Sequence, residues 1–187
     1  QFAAIAAQVV RNREKMLAQI SPELAVESGG LAAQQDRRLE LINALIDGKP
    51  MTARDLSVQA RKAGLAEQDA FLAMQLELGE GLAFSREFGY CLTPQEGCIW
   101  SRNGKLYILC YALENVGEKQ AALAWATEML ARVEAVAGVR CRIGIGLPFG
   151  VLRELGAAFQ QAGEALEIGP RLNPGKVVHY YLDVGLI

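Results

Sequence analysis

The chain has 187 residues, 51% of them hydrophobic and 21% charged. That supplies a core for one domain and an appendage, and it excludes a disordered chain. The 19 Lys and Arg against 21 Asp and Glu leave a net charge of −2, which excludes the basic footprint typical of a nucleic-acid-binding surface.

Residues 2–20 have a helical pattern. Phe2, Ile5, Val9, Asn12 and Met16 keep a 3-4-3-4 spacing, the pattern of a pairing seam. The step Ile20-Ser21-Pro22 is expected to end this helix, because proline disfavours helix in the residue before it. Charged residues at 11, 13, 14 and 15 exclude a signal peptide, and no apolar run reaches membrane-spanning length. A cytoplasmic protein without a membrane partner is therefore expected. The chain opens at Gln1, so it is expected to be a piece of something longer.

Ser28-Gly29-Gly30 is expected to be a flexible joint. A second helix then covers about 31–47, with Leu39, Ile42, Leu45 and Ile46 on one face and Gly48-Lys49-Pro50 as its stop. The basic clusters Arg11-Asn12-Arg13 and Arg37-Arg38 are expected on solvated helix faces. Thr52 is the N-cap of a third helix carrying Leu56, Ala60 and Ala63, closed by Gly64. Residues 51–65 could pass for half of a helix-turn-helix, but strand-like sequence follows where a recognition helix is required.

From residue 70 the period changes to two. Leu72, Met74, Leu76 and Leu78 share one side of a strand, with Gln75 and Glu77 on the other. Residues 79–89 hold room for a short helix. Two apolar runs, Cys98-Ile99-Trp100 and Leu106-Tyr107-Ile108-Leu109, then flank Asn103-Gly104. Asn and Gly tolerate positive φ, so a type I′ hairpin is expected.

A long helix over 118–137 places Leu123, Ala126, Leu130, Val133 and Ala137 inward. A strand over 139–147 shows Val139, Cys141, Ile143, Ile145 and Leu147 on one face. A last long helix over 151–168 buries Leu152, Leu155, Phe159, Ala162 and Leu166. Asn173-Pro174-Gly175 turns the chain into a short strand at 177–180. The order from residue 70 is β-(α)-β-β-α-β-α-β, which points to an α+β sandwich with a mixed sheet of ferredoxin-like type.

The cysteines, at 91, 98, 110 and 141, form no CxxC pair, and His179 is the only histidine. Zinc would need a denser ligand set, so buried reduced thiols are expected. His179 has no nucleophile at a familiar spacing and is expected to pack beside Tyr180 and Tyr181 at a strand end.

Several local motifs in this order resemble the GGDEF-like domain of PucR-type and sugar-diacid (CdaR-type) regulators. Residues 38–48, RLELINALIDG, resemble the helix that precedes that domain, and residues 60–65, ARKAGL, the element before its first strand. Residues 142–148, RIGIGLP, resemble its IGIG strand. Residues 164–169, EALEIG, resemble its last helix, residues 177–180, VVHY, its last strand, and residues 183–186, DVGL, the step after it. The resemblance spans about residues 36–187. It implies a helical connector over 1–50 and a degenerate GGDEF-like domain over 51–187. It also implies a place between an upstream sensor and a C-terminal helix-turn-helix, and the chain stops at Ile187 where that DNA-reading module would begin. DNA contact is thus expected only through a domain missing here, and the seam Phe2, Ile5, Val9, Asn12, Met16 is the candidate for holding a homodimer. The effector is unknown.

Catalytic GGDEF domains bind divalent metal through an acid at the end of the first strand and acids in the hairpin. Here Asn103 and Gly104 fall on the two glycines of that motif, and Lys105 and Leu106 on the two acids. Neither can ligate Mg²⁺, which takes hard oxygen donors. Glu77 is left as a lone relic acid or an ordinary solvated strand end. The expectation is a non-enzyme with no catalytic, cofactor or metal residues. The alternative is a nucleotide-binding enzyme: a diguanylate cyclase relative, or a dinucleotide-dependent oxidoreductase using Gly144-Ile-Gly146-Leu-Pro-Phe-Gly150, with Asp183 as the acid on a ribose. Against the latter, the glycine spacing is wrong by one, a proline interrupts it, and no further β-α unit follows.

Overall fold

The computed structural model of the chain describes residues 22–66, 70–78, 88, 91–93, 96–111, 118–138 and 140–184. The seam residues Phe2, Ile5, Val9, Asn12 and Met16 lie outside them, as does nearly all of 79–89. The elements are α1 (Pro22–Ile46), α2 (Ala53–Ala63), β1 (Leu72–Glu77), β2 (Gly97–Arg102), β3 (Lys105–Cys110), α3 (Lys119–Ala137) and β4 (Arg142–Ile145). A 3₁₀ turn (Leu152–Glu154), α4 (Leu155–Leu172), β5 (Val178–Tyr180) and α5 (Tyr181–Val184) follow. The five strands form one sheet in the order β2-β3-β1-β4-β5. Only β4 and β5 run parallel. The fold is α+β with a mixed sheet, as the sequence order implies.

Alternation along the strands divides the core into two layers. Leu72, Met74, Leu76, Leu106, Ile108 and Ile143 face α3, whose Ala122, Ala126, Met129, Leu130 and Val133 cover them. On the opposite face Ala73, Trp100, Tyr107 and Leu109 meet Leu41 and Ile42 of α1, Leu56 and Ala60 of α2, and Leu155 and Phe159 of α4. The α3 stripe is set slightly round from the predicted one. Ala122 and Met129 are fully covered, whereas Leu123 and Ala137 are only half-buried.

The tight turns form where local chemistry demands them. Thr52 caps α2 by accepting the Asp55 N–H at 3.1 Å, and Gly64 closes that helix at φ +69°. Asn103 and Gly104 take φ +52° and +75° between strands paired from Gly97↔Cys110 to Arg102↔Lys105, the expected type I′ geometry. The element after α2 is β1, with no recognition helix among the described residues between them.

Three boundaries depart from expectation. Residues 22–30 are helical, so the helix begins at Pro22 and Gly29-Gly30 does not hinge it, while the helix expected over 2–20 and its end at Ile20-Ser21 lie outside the described residues. Proline suits a first helical turn, which needs no N–H from it, and each interior glycine costs only about 1 kcal/mol. The last long helix begins as a 3₁₀ turn and runs on through Gly169-Pro170 to Leu172. Pro170 lies in its final turn, where the Asn173 N–H still reaches the Gly169 carbonyl at 2.8 Å. Of the strand expected over 139–147, 142–145 forms β4, and the Gly146 N–H still bonds the Ala73 carbonyl at 2.9 Å before the chain leaves to make a reciprocal backbone bridge between Phe149 and Phe71.

Cys91, Cys98, Cys110 and Cys141 are buried thiols outside any disulfide, as their apolar settings imply. Burial pushes the Cys98 thiol up to about 12 and raises Cys91 and Cys110. Among the described residues no helix is long and apolar enough to cross a membrane.

Candidate functional site

The end of the sheet that carries the β2–β3 turn is where metal chemistry would lie. Leu106 pairs with Leu76 and is wholly buried beneath α3, so the second acid position is a core position. Lys105 stands opposite Arg102. Glu77, opposite Arg142, accepts from its Nη2 at 2.6 Å. Both side chains are over 40% exposed, so the pair adds at most about 1 kcal/mol. Glu77 is thus a surface ion-pair partner, neither free nor fully solvated. A cation, a buried leucine and a carboxylate already paired with arginine do not fit a divalent metal. Among the described residues no group of three or more His, Cys, Asp or Glu is placed to hold a metal ion.

Arg102 turns away from the hairpin tip towards α1. Its Nη1 donates to Asn43 Oδ1 at 3.1 Å, and its Nη2 pairs with Asp47. That hydrogen bond is the main cause holding the Asp47 carboxyl below its ordinary value. The tip is therefore fastened to the helix leading into the domain. Nothing in the local sequence announced this contact, which joins residues 55 and 59 positions apart.

The glycines of the dinucleotide alternative are occupied by the protein itself. A Cβ built on Gly144 would lie 2.1 Å from the Ala162 carbonyl oxygen, and one on Gly146 2.3 Å from that of Ala158. These glycines let α4 rest directly on β4, a packing role that accounts for both of them without a ligand. Asp183 is taken up by an ion pair with Lys119 at the start of α3.

Beside Gly144 in the sheet stands His179, which turns beneath α4 and away from Tyr180, whose ring packs in the opposite layer. Packing at a strand end is thus corrected to burial against Gly169. Burial, then the nearby Arg142 charge, holds the imidazole below its ordinary value, opposed by a hydrogen bond to the Lys176 backbone. Among the described residues its Nε2 has no hydrogen-bond partner, nor has the buried Trp100 Nε1. Gln75, on the side of β1 away from the leucines, is also buried. Its amide donates to the Phe159 carbonyl at 2.8 Å. Both faces of β1 are covered, and a polar residue there must find a partner inside.

Arg38 overturns another expectation. Arg37 is exposed, but Arg38 is only 6% exposed. It donates to the Ala63 carbonyl at 3.0 Å and to the Tyr111 hydroxyl, with its guanidinium over the Tyr111 ring. Beside it, Arg37, Glu40, Leu41, Gln59 and Lys62 line an open cleft of about 380 Å³ between α1 and α2. An apolar groove of about 280 Å³ runs between α2 and the 3₁₀ turn, lined by Leu56, Ala60, Phe71, Val151 and Leu152 among others.

No curated protein matches the chain. A family model described as a GGDEF-like domain matches residues 47–168, from the turn after α1 to within α4 and across four of the five strands. That match covers more than half of the sequence and coincides with the sheet and hairpin described above: the chain belongs to the GGDEF-like domain family.

Proposed function

We propose that this chain is the non-catalytic regulatory part of a PucR- or CdaR-type bacterial transcription regulator. In this reading it works in the cytoplasm as a homodimer. It passes a signal from an upstream sensor to a C-terminal helix-turn-helix outside residues 1–187. The observation that carries the non-catalytic reading is the hairpin end. Leu106 is buried in the core and Glu77 is engaged by Arg142, which argues against the carboxylate pair needed for two-metal phosphoryl chemistry. The regulatory reading draws on the family membership and on the fastening of α1 to the hairpin through Arg102, Asn43 and Asp47. The chain incubated with GTP and Mg²⁺ or Mn²⁺ is expected to yield no cyclic dinucleotide. Product above the buffer blank overturns the reading.

A further inference from the structure

Arg38 occupies a junction of three elements. It belongs to α1, donates to Ala63 at the end of α2, and meets Tyr111 just beyond β3. A charged side chain this deeply buried is costly unless its donors are matched. The matching here comes in part from a helix-end carbonyl and an aromatic face, its centroid 5.1 Å from the guanidinium carbon.

From Tyr111 the ring contacts lead on to Phe71 and Phe149. The ring meets Phe71 edge-on, with centroids 6.4 Å apart. Phe71 stacks on Phe149 at 5.3 Å, and the two backbones exchange hydrogen bonds of 2.8 and 3.1 Å. Phe149 opens the short segment that becomes the 3₁₀ turn and then α4. Close-packed rings transmit displacement because they have little free volume to absorb it.

We propose that Arg38 couples the seating of α1 to the turn at residues 149–154 through Tyr111, Phe71 and Phe149, so that a rotation of α1 is delivered to the head of α4. This rests on the reading of α1 as the signal-bearing helix. The coupling itself is measurable in this chain alone. A relay lost in the longer protein with the coupling intact overturns only the functional reading.

The test is a double-mutant cycle on the full chain, read as unfolding equilibrium constants in urea. Substitutions at independent sites multiply their effects, and those in one network do not. Arg38→Met combined with Phe149→Leu is expected to depart from the product of the single effects by threefold or more. Arg38→Met combined with Met129→Leu, in the opposite layer, is expected to stay within threefold. A merely stabilising Arg38 would weaken the fold without the first departure. Should Arg38→Met fail to fold, Tyr111→Phe, which deletes only the accepting hydroxyl, takes its place with the same threshold. The first pair within threefold, or a control departing as far, overturns the proposal.

Discussion

His179 and Gly169 are in such close contact that a Cβ on the glycine would stand 2.3 Å from the imidazole Nδ1 and 2.4 Å from Cγ. The ring is fixed from below by the sheet, through the pairing of His179 with Gly144. Gly169→Ala is therefore expected to destabilise the fold by about 1–3 kcal/mol, the usual cost of forced overpacking. Urea unfolding checks it, and the cost should shrink when His179→Ala removes the ring. An equal cost in both backgrounds would place its origin elsewhere in α4.

The same histidine sets a pH dependence. Its folded value lies below the ordinary 6.5, through burial first and the Arg142 charge second. The unfolded chain therefore binds a proton at a higher pH than the folded one. Stability is complete above about pH 6.5 and falls as pH drops towards the folded value. Asp47 and Glu96 are also held below their ordinary values, 3.8 and 4.5, so their losses come at lower pH. His179→Gln should flatten the unfolding free energy between about pH 6.5 and 5. Unchanged slopes there would show that the imidazole titrates alike in both states.

Gly104 has φ +75° and open space around the position of a Cβ. Any cost of a side chain there is conformational rather than steric. Gly104→Val should lower stability by about 1 kcal/mol or more, read from thermal melting. A melting curve identical to the parent's would contradict the turn geometry.

Self-association follows from the proposed role, since proteins that read paired half-sites match them with two-fold symmetry. Sedimentation should show a concentration-dependent dimer, shifted towards monomer by deleting residues 1–20 or making Phe2, Ile5 and Val9 polar. A truncated chain that dimerises equally well would move the contact away from the seam. One that loses its fold would make that segment part of the core.

The hairpin, the caps of α2 and the leucine face of β1 were legible because each depends on a few adjacent residues. Asn103-Gly104 permits one turn type, and Thr52 and Gly64 act within one helical turn. The extent of α1 was illegible for the converse reason: paired glycines argue locally against helix, and their modest penalties are offset across 25 residues. Arg38 beside Arg37 reads as a solvated face, since nothing nearby in sequence supplies Tyr111, 73 positions away. The candidate site was legible only in part. Lys105 and Leu106 can be read off the chain, whereas the engagement of Glu77 by Arg142 needs the register of β1 and β4.

The four buried thiols give the molecule reporters of its own opening. Only the thiolate reacts readily with an alkylating reagent, and burial keeps Cys91, Cys98 and Cys110 protonated. Cys98 lies in the layer beneath α1, α2 and α4, while Cys91, Cys110 and Cys141 lie in the layer beneath α3. Alkylation followed residue by residue would thus tell which side of the sheet sheds its helices first, without any engineered probe.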